Sequence, residues 1–298
     1  MSLIDLDVGV ANLKGDREEQ LDRFDVRNHY FHDQGYSLFI IYDGHGDMNF
    51  SKHAKENLAD LIVNDYEFKN KNYEKAFVNG FKQEDYLLRL TFGTQKQGGT
   101  TATAALFLRN SDTFYIANVG DSSAVLGTRP GRNPEAIPVS TDDKTDDKVE
   151  LERLAKAHAN VRRGRLLRQG HSVNMTRGSL FILDVFYKNL QKLPLGDFDF
   201  KAPSTPTGQD WITPVPHTYK IDLIPHEDEF LVIASDGLWN VYDEQTVVEA
   251  ITDGLDKGYD VHQLSNALAA TAINHSKPSD NVTVMLIFFV WDNNSPPE

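Results

Sequence analysis

The chain of 298 residues contains no cysteine. That absence removes any disulfide framework and any thiolate zinc site, and it excludes hydrolases whose nucleophile is a thiol. Positive charge is also in short supply. There are 30 Lys and Arg against 44 Asp and Glu, for a formal net charge of −14, which argues against a nucleic-acid-binding surface. Long hydrophobic runs are missing too. The longest, 282–291, is too short to cross a bilayer as a helix and is interrupted by Thr283. Residues 1–13 show no basic region leading into an apolar one, so no signal peptide is expected. The expectation is a soluble, intracellular protein, cytoplasmic or nuclear, monomeric, and without membrane or nucleic-acid partners. The acid excess has two readings, plain solubility or carboxylates gathered around cations, and composition alone favours the first.

What is present begins with residues 36–43 (YSLFIIYD), a short apolar, β-favouring run that ends in Asp-Gly and predicts a buried strand. Ala54, Leu58, Leu61 and Ile62 recur at helical spacing within 49–65. Ala76, Phe77, Phe81 and Leu88 do the same within 72–90, so two helices follow. The period then changes. Strands are predicted over 100–108, 113–119 and 124–127, punctuated by Asn110-Ser111-Asp112 and Gly120-Asp121 turns. A charged amphipathic helix is expected over 146–158, and loop with short strand over 159–178. A surface loop is expected over 202–216, where Pro203, Pro206, Pro214 and Pro216 fall. Residues 229–236 (EFLVIASD) repeat the strand ending in Asp-Gly, 244–251 and 262–274 read as helices, and 281–290 closes as a strand. Helices come in pairs between groups of strands, unlike the strict alternation of a doubly wound sheet. The pattern predicts sheets packed together with helices outside, as one domain over 1–298, since no stretch reads as a linker.

Three aspartates stand at the ends of buried-looking strands: Asp43, Asp236 and Asp280. An unpaired carboxylate is costly to bury. Carboxylates meeting at one sheet edge repel unless a divalent cation neutralises them, and an oxygen-only donor set suits Mg2+ or Mn2+ better than zinc. Each aspartate also has a plainer reading. Asp43-Gly44 and Asp236-Gly237 match a favoured hairpin turn, and Asp280-Asn281 could simply open a strand. Spacing alone leaves both readings open.

The words around these aspartates are more specific. Tyr42-Asp43-Gly44-His45-Gly46, Gly99-Thr100-Thr101-Ala102, Ala117-Asn118-Val119-Gly120-Asp121-Ser122, Ala234-Ser235-Asp236-Gly237-Leu238-Trp239 and Ser279-Asp280-Asn281-Val282-Thr283-Val284 occur in that order. Together they resemble the signature blocks of the metal-dependent type 2C serine/threonine protein phosphatases, over about residues 9–290. The resemblance implies an α+β fold: a central β-sandwich of two mainly antiparallel sheets, flanked by pairs of helices, with a two-metal cleft at one end. It implies that Asp43 bridges two Mg2+ or Mn2+ ions, with the Gly44 carbonyl as a further ligand, and that Asp236 and Asp280 complete one metal. Asp22 would act through water, and Asp142, in Thr141-Asp142-Asp143-Lys144, would belong to a third, weaker metal. His45 matches the histidine proposed as general acid, a role suited to a donor that works near neutral pH. Arg17 matches the arginine that grips the substrate phosphate, a task for a bidentate guanidinium. Read without the family, His45 is a histidine in a Gly-rich turn and Arg17 belongs to a solvated charge cluster. The activity implied is hydrolysis of phosphoserine and phosphothreonine in phosphoprotein substrates by a water bridging the metals, with no covalent phosphoenzyme.

The pattern is broken in places. Leu21 fills a slot that usually carries Glu or a similar polar residue, and an apolar side chain cannot accept from a water on the second metal. Asn240 stands where aspartate is common, and Asp142-Asp143-Lys144 replaces Asp-His-Lys. Leu183-Asp184 follows Arg177-Gly178-Ser179-Leu180 where an arginine is expected, and extra residues intervene before Leu195-Gly196-Asp197-Phe198, in the region of the flap beside the site. These departures motivate an alternative of another class, a catalytically impaired relative serving as a binding or regulatory module. Two Asp-x-Asp pairs, Asp5-Leu6-Asp7 and Asp197-Phe198-Asp199, are discounted as aspartyl nucleophiles because neither follows an apolar strand. There is no Gly-x-x-x-x-Gly-Lys loop, His-Glu-x-x-His or Gly-x-Ser-x-Gly.

Overall fold

Side-chain alternation along β3 (Tyr36–Tyr42) shows how the layers are built. Leu38, Ile40 and Tyr42 join one apolar cluster, while Phe39 and Ile41 join another. Both faces of the strand are covered, which is why its sequence is continuously apolar. The computed structural model describes residues 3–28, 35–94, 96–109, 111–141, 161–162, 165–168, 171–174, 195–201, 204 and 212–292. Asp142 and the helix expected over 146–158 lie outside the described residues.

β3 belongs to a five-stranded sheet ordered β14 (His217–Asp222), β7 (Thr113–Val119), β6 (Ala102–Leu108), β3 and β2 (Arg23–Asn28). A second sheet runs β1 (Leu3–Leu13), β16 (Val282–Trp291), β15 (Asp228–Ala234), β8 (Ser123–Thr128) and β9 (Glu135–Pro138). All neighbours in both sheets are antiparallel. The core between them takes Phe39, Phe107 and Phe114 from the first sheet and Ile233, Met285, Ile287 and Phe289 from the second. The Phe107 ring stacks on Phe114 with centroids 5.0 Å apart and meets Phe289 at 5.7 Å. Each such pair adds about 0.5–1.5 kcal/mol beyond burial, so losing the Phe107 ring would cost about 3–5 kcal/mol.

The outer faces are closed by helices. α1 (Asn49–Val63) and α3 (Tyr73–Phe92), joined by the short α2 (Tyr66–Lys69), cover the first sheet. α5 (Glu244–Asp256) and α6 (Val261–His275), after the single turn α4 (Asp236–Trp239), cover the second. α5 starts where Asp243 accepts from the Thr246 N–H at 2.7 Å, and α6 starts with a reciprocal Asp260–Gln263 capping box, arrangements that satisfy otherwise orphaned helix N–H groups. The expected α+β sandwich with paired outer helices is what the chain forms. Among the described residues no helix is long and apolar enough to cross a membrane.

Three details differ from or refine the sequence reading. β1, the longest strand among the described residues, precedes any strand predicted from sequence. Its register shifts between Leu3 and Asp5, and exposed Asp5 and Asp7 interrupt the apolar pattern, as suits an edge strand that must not pair further. Asp5 and Asp7 thus face solvent on that strand. The described residues within 159–178 form three short antiparallel strands, β10 (Val161–Arg162), β11 (Arg165–Arg168) and β12 (His171–Asn174). The described end of the proline-bearing stretch is irregular, yet Ile212 is fully buried. The prolines prevent regular structure, whereas burial follows the apolar side chain.

The antiparallel ladders decide where the aspartates go. β3 and β7 finish at the same end because both run against β6. A short turn carries the chain from β7 to β8, β15 ends opposite the start of β8, and β16 starts opposite the end of β15. β1 ends opposite the start of β16, and β2 begins opposite the end of β3. Residues 17, 22, 43, 121, 236 and 280 all flank these strand ends, so one end of the sandwich collects them.

Candidate metal centre

Asp43 leaves β3, Asp121 sits between β7 and β8, and Asp236 opens α4. One carboxylate oxygen from each lies within 4.8 Å of the others. Neither Asp-Gly word is a hairpin turn: Asp43 leads from β3 into β4 (Gly44–His45), and Asp236 begins a helical turn. The main chain of Asp43 is held by the Gly-Thr-Thr-Ala block. Its N–H donates to Thr101 Oγ1 at 3.0 Å, and its carbonyl accepts from the Thr101 N–H at 2.8 Å and from Thr100 Oγ1 at 3.1 Å. Gly46 turns the chain away with φ of 76°, and a Cβ there would stand 2.7 Å from Gly98 Cα, so no other residue fits without strain.

Burial pushes the Asp43 carboxyl well above the ordinary range, and the charges of Asp22, Asp236, Asp121 and Asp280 push it further. Burial and then Asp280 raise Asp236, against the opposing hydrogen bond donated by Asn240 Nδ2 at 3.0 Å. Asp22 is fully buried, and burial raises it despite donation from Thr283 Oγ1 at 2.8 Å. Carboxylates so placed hold either protons or a cation, and hard oxygen donors match Mg2+ or Mn2+. The residues fit the metal that the resemblance implies.

The other expected residues are placed as follows. Asp280 lies outside the group of three. Its Oδ2 pairs with Arg17 Nη2 at 2.6 Å and its Oδ1 accepts from the Asn281 N–H at 2.8 Å, while its charge still reaches Asp236 and Asp43. Arg17 is 60% exposed in its side chain. Burial works against its charge, but Asp280, Asp236 and Asp43 together raise its pKa. Its loop is tied down by the Ser-Asp-Asn block, since Asn281 Nδ2 donates to the Lys14 and Glu19 carbonyls at 2.7 and 3.0 Å and Asn281 Oδ1 accepts from the Leu21 N–H at 2.7 Å. Leu21 therefore enters through its main chain, its carbonyl also accepting from Ser51 Oγ. Gly44 is buried and pairs with Thr100 across β5 (Gly99–Thr100). His45 Nε2 lies 2.9 Å from Asp197 Oδ2. Burial would lower the imidazole pKa, but the Asp197 charge and hydrogen bond, with Asp121, outweigh it and raise the pKa.

Asp121 and Asp197 are the residues that sequence reading missed. Asp121 had a signal, a strand-ending acid like Asp43, but Gly120-Asp121 was read as a turn. Asp197 stands in the word Leu195-Gly196-Asp197-Phe198, but nothing local ties it to His45, which is 152 residues away.

A family model for protein phosphatase 2C matches residues 6–281. Protein phosphatase 2C homolog 2 of Schizosaccharomyces pombe is 30% identical over 261 residues, covering 85% of this chain and 64% of that protein. Protein phosphatase 1A of Homo sapiens is 27% identical over 269 residues, covering 86% and 63%. The chain thus spans less than two thirds of the length of these relatives. A serine-threonine phosphatase 2C from Toxoplasma gondii superposes with a TM-score of 0.75 at 16% identity, covering 97% of this chain and 96% of that one. A Caenorhabditis elegans sex-determining protein does so at 0.74 and 21%, covering 96% and 65%. On the extent of that family match, residues 6–281, this chain belongs to the protein phosphatase 2C family.

Proposed function

We propose that the protein hydrolyses phosphoserine and phosphothreonine in protein substrates, using Mg2+ or Mn2+ at the acidic end of the sandwich. The observation that carries this reading is the convergence of Asp43, Asp121 and Asp236 within 4.8 Å, with Arg17 and His45 beside them. The names of the two sequence relatives, both protein phosphatases, support it.

Asp43, Asp121 and Asp236 would hold the cation, with Asp280 and the Gly44 carbonyl as further donors. When bound, the cation would supply charge neutralisation and Lewis-acid activation to phosphate and water alike. Asp22, fully buried and accepting from Thr283 Oγ1, would add negative charge from the interior once a bound cation favours its ionised form. Arg17 spends one nitrogen on Asp280 and offers its other N–H groups to the phosphoryl oxygens, binding and orienting the ester. Water attacks phosphorus, the bond to the serine or threonine oxygen breaks, and His45 gives that oxygen a proton. The binding-module alternative gains no observation of its own, because Leu21 acts through its main chain and Asn240 steadies Asp236.

The test is hydrolysis of a phosphothreonine peptide with Mn2+, with Mg2+ and with excess chelator, beside an Asp236→Asn variant. Turnover that needs the metal and drops at least 100-fold in the variant is expected, on the scale of losing a group that stabilises the transition state. Folded protein that turns over with neither metal would sink the proposal.

A further inference from the structure

We propose that Asp197 is the positioning residue of His45, holding the ring by Nε2 so that Nδ1 delivers the proton to the leaving oxygen. What the ring does rests on the phosphatase reading above; how it is held rests on geometry alone.

A small sheet makes the pairing. β4, β5 and β13 (Leu195–Gly196) form three strands in which His45 lies across from Gly99, and Gly99 across from Gly196. Asp197 follows directly, so the register places its carboxylate beside the imidazole, at 2.9 Å. Room for that carboxylate depends on Gly99, where a Cβ would stand 2.5 Å from Asp197 Oδ2. The Asp197 side chain is 5% exposed, whereas that of His45 is 36% exposed. One partner is enclosed and the other is open to a ligand.

The backbone at Asp197 is also committed. It is left-handed, with φ of 49° and ψ of 47°, a conformation costly to most residues with a side chain but accessible to Asp and Asn. The Asp197 N–H donates to the Gly98 carbonyl at 3.0 Å. From α3, Asp85 Oδ1 accepts from the Gly196 N–H at 3.0 Å and from Lys201 Nζ, itself buried. Both ends of the turn that presents Asp197 are therefore fixed to a helix of the scaffold.

The chemistry follows from the two ring nitrogens. A nitrogen facing a carboxylate keeps its hydrogen and donates it there, which selects the ring's orientation. The same logic governs carboxylate–histidine pairs in other hydrolases. With Nε2 so engaged, Nδ1 is the nitrogen left for the substrate. A proton moves from Nδ1 to the serine or threonine oxygen as its bond to phosphorus breaks, while the Nε2–H stays on the ring. An aryl leaving group such as p-nitrophenolate is stable without that proton, whereas an alkoxide is not.

The experiment compares wild type, Asp197→Asn, Asp197→Ala, His45→Ala and Asp197→Ala/His45→Ala on a phosphothreonine peptide and on p-nitrophenyl phosphate. Ring 1H–15N spectra of His45 are recorded alongside. Asparagine tolerates the left-handed backbone and separates loss of charge from loss of fold. Wild type should show a protonated Nε2, and Asp197→Ala should lose that restraint. Asp197→Ala should lower kcat on the peptide by about 100-fold, the low end for general acid catalysis, with KM and the aryl ester little changed. Asp197→Asn should recover part of that loss, and the double variant should be no worse than His45→Ala. Equal losses on both substrates, multiplicative losses in the double variant, or an Nε2 without its proton in wild type would each overturn the assignment. A wild type inactive on both substrates would refute the phosphatase reading, and the ring spectrum would still decide the pairing.

Discussion

Replacing Asp121 by asparagine should make the protein more stable in chelator and less responsive to metal. Three carboxylates within 4.8 Å make three repelling pairs, and Asp121 takes part in two of them. Coulomb's law at that separation gives roughly 1 kcal/mol per pair in bulk water and about 3.5 at an effective dielectric of 20. Two pairs would therefore release about 2–7 kcal/mol. Part of this is already relieved, because burial and like charges hold Asp43 and Asp236 well above their ordinary range and favour proton uptake. A net gain of about 2 kcal/mol is the working figure, or roughly 3 °C in melting temperature for a chain of this size. Metal stabilises by mass action, about 2.7 kcal/mol at a concentration 100 times Kd, and each tenfold loss of affinity removes about 1.4 kcal/mol. The assay is thermal and urea unfolding of both proteins in chelator and across a Mn2+ titration. An Asp121→Asn protein that is less stable in chelator would refute the repulsion, and one that keeps the full metal-induced shift would refute the role in binding.

Asn281→Ala removes two hydrogen bonds to the Lys14 and Glu19 carbonyls and the acceptor for the Leu21 N–H. It should cost about 1–3 kcal/mol in urea unfolding and increase proteolytic cleavage within 14–21; an unchanged cleavage rate there would show that the Arg17 loop is held by other means. Glu84 on α3 is fully buried, faces His53 of α1 at 2.7 Å, and feels Tyr42 of β3 and its neighbour Asp85; burial raises its pKa from 4.5 to about 7. Because the folded value is the higher, its stabilising contribution is complete below about pH 4.5 and is lost as pH rises through about 7, by at most about 3 kcal/mol. Glu84→Gln should thus gain stability on wild type at pH 8 but not at pH 4, and urea midpoints that track wild type at both pH values would exclude the effect.

How far the site could be read from the chain depends on what each residue needs. The strand preceding Asp43 is apolar on both faces and announces itself locally, as does the strand before Asp236. Leu3–Leu13 is marked less plainly, since Ile4, Leu6, Val8 and Val10 alternate with Asp5, Asp7 and Gly9 in a period of two rather than forming a continuous apolar run. Asp121 carried the same strand-ending acid as Asp43 but reads equally well as a turn. The identity of a ligand, unlike that of a core residue, lies in which other carboxylates share its space.

The sequence by itself determined the absence of thiol chemistry, the paired helices around sheets, the acidic strand ends and the family, since each depends on residue type, local period or short words in order. Tertiary structure alone decided that Asp121 joins Asp43 and Asp236, that Arg17 leans on Asp280, and that His45 is held by Asp197. These are contacts between residues up to 263 positions apart. They arise from antiparallel register and from backbone room at glycine, quantities that no local pattern encodes.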